Sequence, residues 1–222
     1  MKNDIVRLNA PEWLLKKFSQ DLGRTDAEAL LKLAQIPPRL VLRVNRRKTT
    51  PLAWCNLAQE KGLTALALGQ DGVVVDPPCG VEEIPGFNEG LVSVQDAGAQ
   101  LAARWLAPQD KESFLDACAA PGGKTCHILE LADADVLALE ISPERAERIR
   151  ENLKRLNLKA RVVQADAADT ASWAGPDSRF DAVLLDAPCT ASGILRRHPD
   201  VAFLRQSSDI VALAKQQKIL LD

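Results

Sequence analysis

Three short segments hold the residue types that could do chemistry. In the first, the apolar run Phe114-Leu115-Asp116-Ala117 leads into the small-residue turn Cys118-Ala119-Ala120-Pro121-Gly122-Gly123 and then into Lys124-Thr125. Glycines let a backbone approach a ligand closely, and a helix start offers unpaired N–H groups and a positive dipole end. A nucleoside triphosphate is one candidate ligand, because Gly123-Lys124-Thr125 imitates the end of a Walker A loop. That loop needs a glycine at position 118, where this chain has Cys118. The other candidate is an adenosine-bearing cofactor whose ribose is gripped by an acid at the end of the next strand, about 20 residues on. Leu137-Ala138-Leu139-Glu140 supplies that acid, so the cofactor is the better match.

Further acids follow at what read as strand ends. Asp166 closes Val162-Val163-Gln164-Ala165, where a carboxylate can meet an adenine amino group, and Asp186 closes Phe180–Leu185. A lone strand-end acid usually caps a helix. Four of them at strand-helix intervals instead converge on the carboxyl edge of one sheet, where open α/β sheets bind ligands. The cofactor-binding set read from this pattern is Cys118, Ala119, Ala120, Pro121, Gly122, Gly123, Lys124, Glu140, Asp166 and Asp186.

Those acids require alternating elements to carry them. Strands are expected at 113–117, 135–140, 161–164 and 181–186, with helices at about 124–132, 143–157 and 208–221. Repeated strand-helix units imply a parallel, Rossmann-like sheet with helices on both faces. Ser93 followed by Asp96 reads as a capping box for an apolar helix through Leu106. Upstream, residues 36–85 read as a small αβ unit: a strand at Leu40–Val44, a helix opened by Thr50-Pro51 and closed by Gly62, and a strand at Val73–Val75. The Pro- and Gly-rich stretch from Pro77 to Gly86 reads as a linker, and residues 1–35 as short helices. Three segments result: helices at 1–35, the αβ unit at 36–85 and the parallel core at 86–222.

Composition narrows the class. The chain has 222 residues, 46% hydrophobic and 26% charged, which suits packed domains rather than disorder or a fibre. No run approaches the roughly 18 apolar residues of a membrane span, and the polar start Met1-Lys2-Asn3-Asp4 is unlike a secretory leader, so the cytoplasm is expected. Five scattered cysteines without C-x-x-C spacing argue against a disulfide framework or a zinc site, and no metal is expected. Net charge is −2, unevenly spread: the first 75 residues carry 12 basic against 7 acidic groups, the rest 16 against 23. A basic front on an acidic body points to a polyanion docking at the front.

Directly after Asp186 comes Ala187-Pro188-Cys189-Thr190-Ala191-Ser192-Gly193. The segments DACAAPGGKT (116–125), LLDAPCTASG (184–193) and ILRRHPD (194–200) resemble the RNA cytosine-5 methyltransferases of the Nop2/Sun type, and among them the bacterial Sun or RsmB branch acting on small-subunit (16S) rRNA. The resemblance implies S-adenosylmethionine as cofactor, S-adenosylhomocysteine as product and RNA as partner. It implies an RRM-like unit before the core, with Arg39, Arg43, Arg46, Arg47 and Lys48 on or beside its first strand placed for phosphate contacts, and Arg196-Arg197 near the catalytic loop. His198 is equally well read as a surface or capping residue. Aromatic residues are scarce in that unit, so base stacking is not expected there.

Cytosine C5 is too weak a nucleophile to take a methyl group unaided. In this family a cysteine thiolate adds at C6 and gives an enamine that attacks the cofactor's methyl through C5; an acid steadies the base near N3, and a base then removes the C5 proton so that the cysteine can leave. The resemblance makes Asp186 the acid and Cys189 the cysteine that resolves the adduct; the target base must be unpaired or flipped. The family's nucleophile lies in a later Thr-Cys motif, and no cysteine follows Cys189, so a chain truncated before its nucleophile is expected. Cys189 as nucleophile is the alternative, as in DNA enzymes with a Pro-Cys motif, but their downstream Glu-Asn-Val is missing. Val75-Asp76-Pro77-Pro78-Cys79 resembles the loop of a permuted amino-methyltransferase, a role Asp186 already fills in the right order. Oligomeric state is left open.

Overall fold

The structure, a computed structural model, describes the backbone from Lys2 and the side chains from Ile5, through to Asp222. The polar start at 1–4, on which the expectation of no leader rests, lies outside the described side chains. The chain forms two compact units: Arg39–Asp186, and the residues up to Pro38 together with Ala187–Asp222.

Arg39–Asp186 contains two four-stranded sheets. The first is antiparallel, in the order β2-β3-β1-β4, with β1 at Leu40–Val44, β2 at Ala65–Leu68, β3 at Gly72–Val75 and β4 at Val92–Val94. Helix α4 (Pro51–Glu60) crosses one face. The Thr50 hydroxyl accepts from the Ala53 N–H and Pro51 fills the first turn, the start read from the sequence. Trp54 and Ala58 of this helix are sealed against Leu42, Val44, Val73, Val75 and Val92, and the indole donates to the Pro85 carbonyl at 2.9 Å.

Two strands of this sheet escape the sequence pattern. β2, Ala65-Leu66-Ala67-Leu68, is an edge strand with both leucines exposed, and alanine is a poor strand former. β4 carries Ser93, so the capping box read at Ser93–Asp96 is corrected. Ser93 is a buried strand residue whose hydroxyl accepts from Arg155 at 2.9 Å, and Asp96 alone caps the next helix through the Ala97 N–H. The sheet thus takes its last strand from beyond residue 85.

The second sheet is parallel, in the order β7-β6-β5-β8, with β5 at Ser113–Asp116, β6 at Asp135–Glu140, β7 at Arg161–Gln164 and β8 at Ala182–Leu184. One face packs α5 (Ala97–Leu106), α6 (Gly123–Leu131) and α7 (Pro143–Leu156) over Phe114, Val136 and Ala138. α7 buries Ala146, Ile149, Leu153 and Leu156 at three- and four-residue spacing, with Ser142 capping its start and Asn157 ending it in the left-handed region at φ 57°. On the other face Leu115, Leu137 and Leu139 are buried against Val163 of β7, Trp173 of the one-turn α8 (Thr170–Trp173), Phe180 and Leu185.

The remaining unit is helical: α1 (Lys2–Leu8), α2 (Glu12–Leu22), α3 (Arg24–Leu33), α9 (Val201–Leu204) and α10 (Ser207–Leu221). Leu14, Leu15, Ala27, Leu31, Leu195 and Ala202 form its core. Among the described residues no helix is long and apolar enough to cross a membrane, and no group of three or more His, Cys, Asp or Glu is placed to hold a metal ion.

Candidate cofactor site and catalytic loop

The parallel register brings the strand-end acids to one edge. Asp116 pairs with Ala138 on one side and Leu184 on the other, and Glu140 pairs with Gln164, so Asp116, Glu140, Asp166 and Asp186 leave the same side of the sheet. The turn from β5 to α6 closes over this edge. Ala117 N–H donates to the Leu184 carbonyl and Ala119 N–H to the Leu139 carbonyl, both at 2.9 Å, so backbone bonds from two neighbouring strands fix the turn. Gly122 sits at φ +95°, and a Cβ there would meet Ile149 at 3.2 Å, so any other residue would be strained in backbone and crowded in space. α6 starts at Gly123 with no side-chain cap, leaving first-turn N–H groups for a ligand.

Lys124 forms an ion pair with Asp186 across the mouth of this edge, with the aspartate side chain 59% exposed. Glu140 is buried; it accepts from the Ser142 N–H at 3.1 Å and lies 3.4 Å from the Arg145 guanidinium, which also reaches the Ala120 carbonyl. Asp166 is exposed, and its carboxylate accepts from the Ala168 N–H. Cys118 lies in the turn, where burial and then the charges of Glu140, Asp116 and Asp186 push its thiol up to about 11. A thiol that stays protonated at neutral pH is no nucleophile. Cys126 is buried and pushed up to about 12.

Asp116, the first of the four strand-end acids, has a structural part as well. It is 1% exposed, accepts from the Thr125 hydroxyl at 2.6 Å, and so ties the end of β5 to the first turn of α6. Its second oxygen is buried without a partner. Burial pushes the carboxyl up to about 6, against the Thr125 hydrogen bond and the Lys124 charge.

The segment after Asp186 belongs to the helical unit. Cys189 is exposed, its sulfur accepting from the Ala191 N–H at 3.3 Å, and the Pro188 carbonyl accepts from Gln217 of α10. Arg196 donates to the Ile36 and Pro37 carbonyls at 3.1 Å, which fixes it as a tie within this unit; Arg197 and His198 are exposed.

The basic cluster of β1 separates into two kinds. Arg39, Arg46, Arg47 and Lys48 are exposed, each with a local partner: Asp76, Asp71, the Ala132 carbonyl and the Glu89 carbonyl. Arg43 is fully buried, which corrects its assignment to phosphate contacts. Residues alternate across a strand, and 42 and 44 face α4, so 43 faces away, where α6 brings Glu130. Arg43 meets Glu130 through two bonds of 2.8 Å, and reaches Gln95 and the Gly123 carbonyl at 2.6 Å each. Glu130, near the end of the Cys126-His127-Ile128-Leu129 run, is the one hint in the sequence of this pairing, and only its burial in the fold turns it into a demand for a cation. His127 on the same helix is buried and donates to Asp71 at 3.3 Å. Burial pushes this imidazole down, towards the neutral form; at Asp71 burial raises, but the His127 and Arg104 hydrogen bonds outweigh it and hold the carboxyl well below the usual range.

Comparison with known proteins now adds to this geometry. A family model described as 16S rRNA methyltransferase RsmB/F matches residues 103–222, more than half the chain, and a second, an RsmF/B-like ferredoxin-like domain, matches 10–82. The chain is 45% identical over 220 residues to the ribosomal RNA small subunit methyltransferase B of Citrobacter koseri, covering 98% of this chain and 51% of that protein. It therefore spans about half the length of the curated relatives it matches. Two solved structures share the fold. PH0851 is 27% identical with a TM-score of 0.91, over 98% of this chain and 50% of that one. A methyltransferase homolog protein from Pyrococcus horikoshii is 26% identical with a TM-score of 0.82, over 99% and 70%. Both the parallel core with its motif-bearing edge and the antiparallel unit before it are thus matched, and the chain belongs to the RsmB/F family of 16S rRNA methyltransferases.

Proposed function

We propose that this chain binds S-adenosylmethionine at the carboxyl edge of the parallel sheet and serves in the transfer of a methyl group to C5 of a cytosine in RNA, small-subunit rRNA being the substrate and the cytoplasm the place. The observation that carries the reading is the register that lines up Asp116, Glu140, Asp166 and Asp186 beside a turn opened by Gly122 and Gly123. The donor set fits the cofactor. Unpaired N–H groups at the start of α6 and the Lys124 ammonium suit a carboxylate. Glu140 suits a ribose diol, and Asp166 an adenine amino group. The buried Asp116 oxygen without a partner can accept one further N–H. When bound, the cofactor supplies an electrophilic methyl group on a positively charged sulfur.

The chain's own residues then handle the base. Asp186, open to solvent beside Lys124, holds the cytosine near N3, and Lys124 keeps that carboxylate in place until the base arrives. Cys189, with its exposed sulfur, resolves the covalent adduct. Arg39, Arg46, Arg47, Lys48 and Arg197 contribute phosphate contacts; each would exchange a local partner for the RNA backbone.

A second reading is that these 222 residues bind cofactor and RNA but transfer nothing by themselves, favoured because no cysteine follows Cys189 to serve as the family's main nucleophile. Calorimetric titration with S-adenosylmethionine, with ATP as control, tests the site: micromolar binding of the first alone is expected, and preference for ATP would restore the triphosphate reading. A labelled-methyl transfer assay then separates the two readings, since turnover by this chain would show Cys189 sufficient.

A further inference from the structure

The cofactor turn has two adjacent glycines at its exit, Gly122 and Gly123, and glycine loses more backbone freedom on ordering than any other residue. The strand-to-turn bonds from Ala117 and Ala119 fix the turn upstream of this pair, so contacts at the glycines themselves sharpen the direction of the N–H groups that follow. Gly122 is held by its packing on Ile149. Gly123 is held from the other sheet: one guanidinium nitrogen of Arg43 donates to its carbonyl at 2.6 Å.

Arg43 is itself held by bonds from all three of its guanidinium nitrogens. It is fully buried on β1, its other bonds go to both oxygens of Glu130 at 2.8 Å and to Gln95 at 2.6 Å, and Glu130 belongs to the same helix, α6, that Gly123 begins. One guanidinium therefore ties the first carbonyl of α6 to the carboxylate carried about two turns further along the same helix. Because the peptide between Gly123 and Lys124 is planar, fixing the carbonyl of one fixes the N–H of the other, which points the opposite way, out of the helix start. That N–H is one of the donors the cofactor site depends on.

We infer that Arg43 is a positioning residue for the cofactor: from the antiparallel sheet it sets the direction of the Gly123–Lys124 peptide, so that the start of α6 meets the cofactor preformed. The inference rests on the reading of residues 116–124 as the cofactor turn. It predicts that affinity for S-adenosylmethionine responds to Arg43 beyond any change in stability.

The test compares the unaltered chain with three variants, each titrated calorimetrically with S-adenosylmethionine at a temperature where circular dichroism shows it fully folded. R43K keeps the charge and its pairing with Glu130 but cannot also reach Gly123; its Kd should rise about tenfold, the equivalent of one charge-assisted hydrogen bond. E130D keeps the charge and the Gly123 bond while spoiling the two-pronged pairing; its thermal midpoint should fall as far as that of R43K, with Kd changed less than about twofold. Q95M removes the other acceptor of the same guanidinium nitrogen that donates to Gly123, an anchor that E130D leaves in place, so a Kd increase of about threefold is expected; it carries the test if R43K does not fold. Equal losses of affinity in R43K and E130D would make Arg43 merely structural and overturn the inference, as would unchanged affinity in R43K or, failing that variant, in Q95M. No binding by the unaltered chain would instead overturn the cofactor reading, and the inference with it.

Discussion

Two ion pairs sit at opposite ends of α6, and they are opposites in kind. At its end, Glu130 meets Arg43 with both side chains sealed from water; at its start, Lys124 meets Asp186 at the open edge of the sheet, where the aspartate is more than half exposed. In the first, each charge has given up its hydration and is paired with an opposite charge buried with it. In the second, water can replace either partner at little cost, so the pair can open when a ligand arrives. The helix thus has a fixed end and a working end, and the largest effect should come from breaking the fixed one. Glu130→Ala strands the Arg43 guanidinium in the core. It should cost about 3–5 kcal/mol of stability, measured by urea unfolding. A loss below about 1 kcal/mol would mean that water reaches Arg43 and that the contrast is false.

Asp116 lies between the two, buried like the first pair yet chemically part of the second. Its pH dependence should show which it resembles. The carboxyl is pushed up to about 6 by burial, from an ordinary value of 3.8. The unfolded chain then releases this proton before the folded one does, so the contribution of this carboxyl to stability is fullest below pH 3.8 and falls as pH rises towards 6. The group's whole contribution is about 3 kcal/mol at most, two pH units at 1.36 each. Asp116→Asn keeps an acceptor for the Thr125 hydroxyl and removes the titration, so its stability between those limits should run flatter with pH than that of the unaltered chain. Parallel curves would show Asp116 to be ionised at its normal pH, and so better hydrated than its burial implies.

The contrast between the pairs also marks what a sequence can show. The parallel strands and their terminal acids were legible because the strands read as short apolar runs, most clearly the central β5 and β6 with their buried residues, and the residue ending each run stands out by chemistry. Glu140 and Asp186 could be placed at the edge for that reason. Arg43 could not be placed, because its four exposed neighbours from Arg39 to Lys48 share its type, while its partner stands 87 residues away on a helix whose burial only the fold reveals. β4 was hidden differently: Ser93 and Asp96 have the spacing of a helix cap, and local pattern cannot tell that Val92–Val94 is claimed by β1. The orphaned oxygen of Asp116 is beyond sequence altogether, since it is defined by what does not reach it.

The working end should yield the smallest change in stability and a clear change in binding. Lys124→Met removes an ammonium whose partner is well solvated; unfolding in urea should shift by less than about 1 kcal/mol. Asp186→Asn should do the same from the other side. Affinity for S-adenosylmethionine should nevertheless fall about tenfold in the lysine variant, because a cation at a helix start is then missing from the ligand's carboxylate. A methionine there also leaves Asp186 as an unopposed negative charge at the same mouth. If Lys124→Met instead cost as much stability as Glu130→Ala, the exposed pair would be holding the turn shut as firmly as the buried one holds the helix. α6 would then have no working end, and Asp186 would not be free to meet a base.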